Sequence, residues 1–307
     1  MSISSGLTII GELMNHSYAR ARKAWETRDI AAYQHLAKLQ TDLGASYLTL
    51  NLDGTQTLNV TLQEMLDFLP DLVPALQEVT PCPFSFDNPH VAFHQIALKH
   101  FDPSKSHARP ILNSLAVSRD NLDEMIELVA EYKTHVIIMV SECLTASGGM
   151  APTTKPEEAY ITVRHFVERL RHKADVSNDR IIVDPGLSPI TSDIKGHINL
   201  GLDVIRLVRA DTDLSGVHMS VGLSNLAFGT PKHVRHLLEQ AYLTLAIEAG
   251  LDWALANLEK NTKPLEKTHP MVEKLRHILE QGRVLPGETQ ETAGYRQIEH
   301  LMEVWAA

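Results

Sequence analysis

Five apolar runs in this chain stop on an acid or an amide. They are Leu48-Thr-Leu-Asn51, Phe84-Ser-Phe-Asp87, Ile111-Leu-Asn113, Ile181-Ile-Val-Asp184 and Met219-Ser-Val-Gly-Leu-Ser-Asn225. Short runs rich in β-branched and aromatic residues read as buried strands. Pro185-Gly186 then turns the chain directly after Asp184. A carboxylate at such a strand end can accept two parallel N–H bonds, and an amide can both donate and accept. Together they suit a flat, neutral ligand with several hydrogen-bonding atoms, such as a 2-amino-pyrimidinone edge, which is how a pterin presents itself. Asp and Asn also cap helices and form turns in any protein. The recurrence of Asp87, Asn113, Asp184 and Asn225 at four separate strands favours binding over capping.

Other chemistries leave no mark. There is no His-Glu-x-x-His metal element, no Gly-x-Ser-x-Gly elbow and no Walker loop. His233 and His236 are three apart at a helix start, with no further ligands nearby, and read as surface histidines rather than a metal site. Cys82 and Cys143 make neither a disulfide framework nor a metal spacing. The net charge of −10 argues against nucleic acid, whose phosphates need basic patches. No apolar run reaches eighteen residues, so no membrane span is expected. The first six residues lack the order of a secretory signal, and the cytoplasm is the expected location.

Eight strand-like segments alternate with helical ones. Strands are expected at 7–10, 47–51, 83–87, 111–113, 135–140, 181–184, 218–221 and 253–256. Between them, residues 122–130 place Leu122, Met125, Ile126, Val129 and Ala130 on one helical face, with Ser118 as the expected N-cap. Pro89 is expected to open the helix before strand four, and 145–156 reads as a long Gly/Pro/Thr loop. Alternation of this kind implies a parallel sheet. Eight units in about 250 residues imply an α/β fold of the (βα)8 TIM-barrel type, because no Gly-rich phosphate loop supports an open doubly wound sheet. Residues 1–260 would form the barrel. Residues 261–307 would add two C-terminal helices to the same domain, whose Leu275, Ile278, Leu279, Leu301 and Val304 are expected to help form a homodimer. In a barrel the loops after the strands share one face. Glu12, Asn51, Asp87, Asn113, Glu142, Asp184, Asn225 and Asn257 would then share one mouth.

Several segments carry a closer likeness: Ile10-Gly-Glu-Leu-Met-Asn15, Gly44-Ala-Ser-Tyr-Leu-Thr-Leu-Asn51, Ser85-Phe-Asp87, Leu112-Asn-Ser114, Val183-Asp-Pro-Gly186 and Val221-Gly-Leu-Ser-Asn-Leu-Ala-Phe-Gly229. In this order they resemble the pterin-binding barrel family, and within it the methyltetrahydrofolate:corrinoid-protein methyltransferases. The resemblance implies tetrahydrofolate or methyltetrahydrofolate as substrate and a corrinoid (cobalamin) carried by a partner protein. It implies that Asp87, Asn113 and Asp184 hold the pterin, and that Asn225 addresses N5, the nitrogen that carries or receives the methyl. Glu12, Asn51 and Ser224 are candidates for the same pocket.

The chain departs from the family pattern at three places. Thr49 stands where an acid is usual, Asn88 follows Asp87 where Ser is usual, and Lys232-His233 replaces Asn-Arg. Two alternatives stand beside the methyltransferase reading: a dihydropteroate-synthase-like enzyme and a non-catalytic folate-binding barrel. The first would need a basic Ser-x-Arg-x-x-His close near strand eight, where this chain has Ala256-Asn-Leu-Glu-Lys260.

Overall fold

A computed structural model describes residues 6–145 and 148–306. The start of the chain, read above for a leader, lies outside the described residues apart from Gly6. The chain opens with β1 (Thr8–Gly11), α1 (Ala19–Glu26), α2 (Ile30–Asp42), β2 (Tyr47–Leu50), α3 (Leu62–Gln77), β3 (Phe84–Asp87) and α4 (Val91–Lys99). It continues through β4 (Ile111–Leu115), α5 (Leu122–Tyr132), β5 (His135–Met139), a short pair β6 (Glu142–Leu144) and β7 (Met150–Pro152), α6 (Pro156–Ala174) and β8 (Ile181–Asp184). It ends with α7 (His197–Ala210), β9 (His218–Met219), α8 (Lys232–Ala249), β10 (Trp253–Ala256), α9 (Pro270–Gln281) and α10 (Gln290–Ala306).

Eight of the strands form one sheet in the order β10-β1-β2-β3-β4-β5-β8-β9. A parallel bridge from Gly222, just after β9, reaches Leu255 in β10. The fold is a (βα)8 barrel followed by two helices. Contacts divide the chain into two compact units, one of Thr8–Met139 with His165–Ile182, the other of Met1–Leu7, Val140–Arg164 and Val183–Ala307.

In the first unit β1 to β5 pair in parallel, with Leu48 beside Phe84, Phe86 beside Leu112, and Asp87 beside Asn113. The strands are buried on both faces, polar Thr49, Ser85 and Asn113 included, as is usual in a covered parallel sheet. Phe84, Phe86 and Phe101 meet edge to face with ring centroids 5.8–6.1 Å apart. α3 starts in a capping box, in which Thr61 Oγ1 accepts from Glu64 N and Glu64 returns a bond to Thr61 N. It then buries Met65, Phe68, Leu69, Leu72, Val73 and Leu76 at helical spacing.

In the second unit α8 buries Val234, Leu238, Ala241, Tyr242, Leu245 and Ala246, and ends at Gly250 with φ of 116°, a left-handed stop. α9 packs against both α8 and α10. A Cβ on Gly294 of α10 would run into the backbone of Ile194, so the last helix lies hard against the loop that follows β8. Leu275 is fully buried in α9. Truncating it to Ala is expected to destabilise the protein by about 3 kcal/mol, the usual loss for an emptied core site. A denaturant melt that does not move would show that the C-terminal helices are not integral to the fold.

Several local expectations are corrected. α5 begins after Asn121, not at Ser118, because the preceding residues form turns. The segment after β5 is not all loop, since Glu142–Leu144 pairs antiparallel with Met150–Pro152. α4 starts at Val91 after His90, two residues beyond Pro89. β4 continues to Leu115, so Asn113 lies inside its strand rather than at the end. Leu275, Ile278, Leu279 and Leu301 are buried within their own chain, so they serve packing rather than a dimer face, and the side chain of Val304 lies outside those described.

Candidate active site

Asn51 organises the strand ends of the first unit. Its backbone N–H donates to Met14 O, 3.1 Å away, just beyond the end of β2. Its side-chain Nδ2 donates to Asp87 Oδ2 at 3.0 Å, and its Oδ1 accepts from Asp53 N at the same distance. Asp87 is thereby held by an amide that cannot neutralise it. Burial pushes its pKa up to about 6, and the neighbouring Asp53 adds to that, while the Asn51 bond and the Arg119 charge pull the other way. Asn113, next to Asp87 on the adjoining strand, is 7% exposed and donates from Nδ2 to Ser85 Oγ at 3.3 Å. Its peptide bond to Ser114 is cis. A carboxylate and an amide therefore stand side by side on parallel strands, as recognition of a donor-rich heterocyclic edge requires.

Around them is a hydrogen-bonded set that strand-end reading missed. Asn88 Nδ2 donates to Asp53 Oδ1 at 2.6 Å, and Asn88 Oδ1 accepts from His90 N at 2.9 Å. His16 touches Asp53 O through Nδ1 at 3.0 Å and the Tyr33 hydroxyl through Nε2 at 2.8 Å. Burial drives the His16 pKa down to about 4, so the ring is neutral near pH 7. Arg119, anchored to Ser114 O at 3.2 Å, supplies a positive charge that favours ionisation of both Asp53 and Asp87. Asp53 follows the strand-end Asn51 by two positions, and Asn88 follows Asp87 directly, at one of the departures from the family pattern noted above. Glu12, 6% exposed, accepts from the Tyr18 hydroxyl. At the first departure from the family pattern, the Thr49 hydroxyl is buried with no hydrogen-bond partner among the described residues.

In the second unit Asp184 is half-buried at the last position of β8, and its Oδ1 accepts from Gly186 N at 2.8 Å. Gly186 has φ of 79°, which lets the chain double back over its own carboxylate. Glu142 opens β6 with one carboxylate oxygen buried and unpartnered among the described residues. Asn225 ends a single 3-10 turn, Leu223–Asn225, and is exposed to solvent. Its amide lies over Gly222, 3.1 Å from where a Cβ would sit, so a side chain at 222 would crowd it. Ser224 is tied to Asn261 by a 3.1 Å bond. Asn257 is buried and accepts from Glu259 N at 3.0 Å, so it forms a turn instead of offering itself to a ligand. His233 is exposed and His236 pairs with Glu239 at 3.1 Å. Among the described residues no cluster of His, Cys, Asp or Glu could hold a metal, and no helix is long and apolar enough to cross a membrane.

The profile of one family, described as pterin binding enzyme, matches residues 12–257. The chain is 25% identical over 251 residues to the methylcorrinoid:tetrahydrofolate methyltransferase of Eubacterium limosum, covering 81% of this chain and 84% of that protein. It is 24% identical over 259 residues to the methionine synthase of Mycobacterium leprae, covering 82% of this chain but only 20% of that longer protein. Among solved structures, a Yersinia pestis dihydropteroate synthase in a sulfonamide drug complex superposes with a TM-score of 0.59 at 15% identity, covering 100% of this chain and 97% of that one. The 7,8-dihydropteroate synthase of Vibrio fischeri gives 0.58 at 17%, covering 91% and 95%. At that identity the likeness is one of fold.

Proposed function

The chain belongs to the pterin binding enzyme family, and on that footing we propose that it moves a methyl group between N5 of tetrahydrofolate and the cobalt of a corrinoid protein. The proposed direction is from methyl-corrinoid to tetrahydrofolate, as part of an O- or N-demethylating system in the cytoplasm. The observation that carries the reading is the in-register pair of Asp87 and Asn113, a carboxylate beside an amide on adjoining parallel strands. The similarity to a methylcorrinoid:tetrahydrofolate methyltransferase over most of both chains supports the reaction class and the direction. Residues 1–260 serve as the pterin-binding barrel, and 261–307 as a helical extension of the same domain.

In this reading Asp87, Asn113 and Asp184 are the residues that hold the amino-pyrimidinone ring of the pterin. Glu12, Asn51 and Ser224 are further candidates for ligand contact. Asn225 aims its amide at N5. The corrinoid stays on its partner protein and supplies a cobalt that releases or accepts the methyl. In the proposed direction the N5 lone pair forms the new N–C bond as the Co–C bond breaks. Both electrons of that bond remain on cobalt, and the N5 proton leaves to solvent. As its lone pair is committed to the methyl, N5 gains positive charge, and the amide oxygen of Asn225, accepting from the N5 proton, is worth most as that charge develops. No covalent enzyme intermediate is needed, and positioning carries the rest of the catalysis.

The decisive experiment mixes the protein with methyltetrahydrofolate and reduced cobalamin, and in a second cuvette with tetrahydrofolate and methylcobalamin. The cobalt spectrum is followed in both. No spectral change in either would end the methyltransferase reading. Turnover of a pterin diphosphate with an aromatic amine would favour the synthase alternative that the fold neighbours represent. A homodimer through the C-terminal helices would have to use exposed residues such as Tyr295 and Met302. A monomer by light scattering excludes it.

The Asp87 carboxyl gives this reading a pH signature. A pterin N–H edge favours its ionised form, so folate binding is expected to tighten as pH rises through about 6 and to level off above. Well below that point the gain approaches about tenfold per pH unit. For folding the sign is opposite. The native carboxyl holds its proton more tightly than a free aspartate, whose ordinary pKa is 3.8, so the stability it contributes is complete below that pH and is lost as pH climbs through about 6. Folate titrations between pH 5 and 8 that give one constant affinity would remove Asp87 from the contact.

A further inference from the structure

We propose that Asn261 and Glu239, which no reading of the strand ends picks out, form a buried joint that positions the Ser224–Asn225 turn for methyl transfer, an inference that rests on the function proposed above. Asn261 is fully buried and Glu239 is 2% exposed. From one atom, Nδ2, Asn261 donates to Ser224 Oγ at 3.1 Å and to Glu239 Oε2 at 3.0 Å. Its Oδ1 accepts from Asn257 N at 2.9 Å, and its own N–H donates to Asn257 O at 3.0 Å, which closes the turn that follows β10. The amide therefore ties three elements together: the end of β10, the helix α8 and the turn that carries Asn225.

A carboxylate this deep is costly unless its oxygens are used. Glu239 Oε2 accepts from Asn261 and also meets His236 Nδ1 at 3.1 Å, while the His236 side chain is 41% exposed. The chain of bonds therefore runs from solvent at His236, through the buried acid and amide, to the hydroxyl next to Asn225. Asn225 itself is exposed on a one-turn element, and an isolated 3-10 turn has little rigidity of its own. Its aim depends on what fixes its neighbours. The Gly222–Leu255 bridge holds one side of the turn, and Asn261 holds the other through Ser224. Neither Asn261 nor Glu239 touches the reacting nitrogen in this arrangement. They are positioning residues.

Asn261→Asp keeps the side-chain shape but replaces the double donor with an acceptor facing Glu239. Its rate of methyl transfer is expected to fall by at least about tenfold with folate affinity nearly unchanged, the pattern of a lost transition-state alignment. Glu239→Gln still offers an amide oxygen to Asn261 and should keep most of the rate, whereas Glu239→Ala should not. Hydrogen exchange measured by mass spectrometry should rise in the peptide covering 221–228 of Asn261→Asp and stay unchanged in the peptide covering 84–88. Ser224→Ala breaks the same tie from the other end, and exchange in 221–228 must rise there too, which covers an Asn261→Asp protein that fails to fold. Unchanged exchange in 221–228, or a wild-type rate in Asn261→Asp, would overturn the proposal. A wild-type protein with no methyl transfer would instead sink the functional reading, and the exchange measurements would still decide whether the joint exists.

Discussion

Replacing Asn225 by Ala is expected to slow methyl transfer by about 10²–10³-fold while weakening folate binding only severalfold, the loss typical of one oriented hydrogen-bond partner at a centre of developing charge. The asymmetry follows from where the residue sits. Asn225 is exposed at the tip of a short turn, so it adds little to the burial of a bound heterocycle. In the proposed role its amide is a neutral dipole whose interaction with the N5 proton grows as the methyl–nitrogen bond forms. Only an interaction stronger in the transition state than in the bound substrate changes the rate of the chemical step. Single-turnover measurements of the cobalt spectrum, set beside folate affinity from calorimetry, separate the two effects. Equal losses in rate and affinity would make Asn225 a plain binding residue.

Asp184→Ala is expected to do the reverse. Folate affinity should fall by about 3 kcal/mol, roughly a hundredfold, because the charged acceptor for a buried pair of N–H donors is removed. The carboxylate is placed for this role by local structure. β8 ends on it, Pro185-Gly186 turns the chain away, and the Gly186 N–H holds Oδ1 at 2.8 Å so that the group cannot rotate freely. Asp184→Asn keeps the shape but presents a donor where the ligand also donates, so it should recover little affinity. Calorimetry showing undiminished folate binding by the Ala variant would remove Asp184 from the site.

Much of this arrangement is written locally. Three-residue β-branched runs such as 181–183, the 3.6-residue spacing of α8 and the left-handed Gly250 each depend on neighbours within one turn or one pleat. The boundaries that were misjudged are those where local signals conflict. Ser118 looks like a cap, but turns intervene and the helix waits until Asn121 has passed. The loop after β5 has turn residues throughout, yet Glu142–Leu144 finds a partner in Met150–Pro152. The helices at the C-terminus were legible as amphipathic. Which surface their apolar faces would cover was not, because an apolar stripe has the same pattern whether it meets its own chain or a second copy.

The residues alone determined the alternation of strands and helices, the barrel that alternation implies, and the acids and amides that punctuate its strands. They could do so because hydrophobic period, turn formers and strand ends are properties of adjacent positions. Only the tertiary structure decided that Asn51 would steady Asp87 across 36 positions and that Asn88 would claim Asp53 across 35. It likewise decided that Asn261 would reach back 37 positions to Ser224 and 22 to Glu239. Those pairings turn on which strand and helix ends the closed sheet brings within about 3 Å of one another, the reach of a hydrogen bond, and no spacing along the chain encodes that distance.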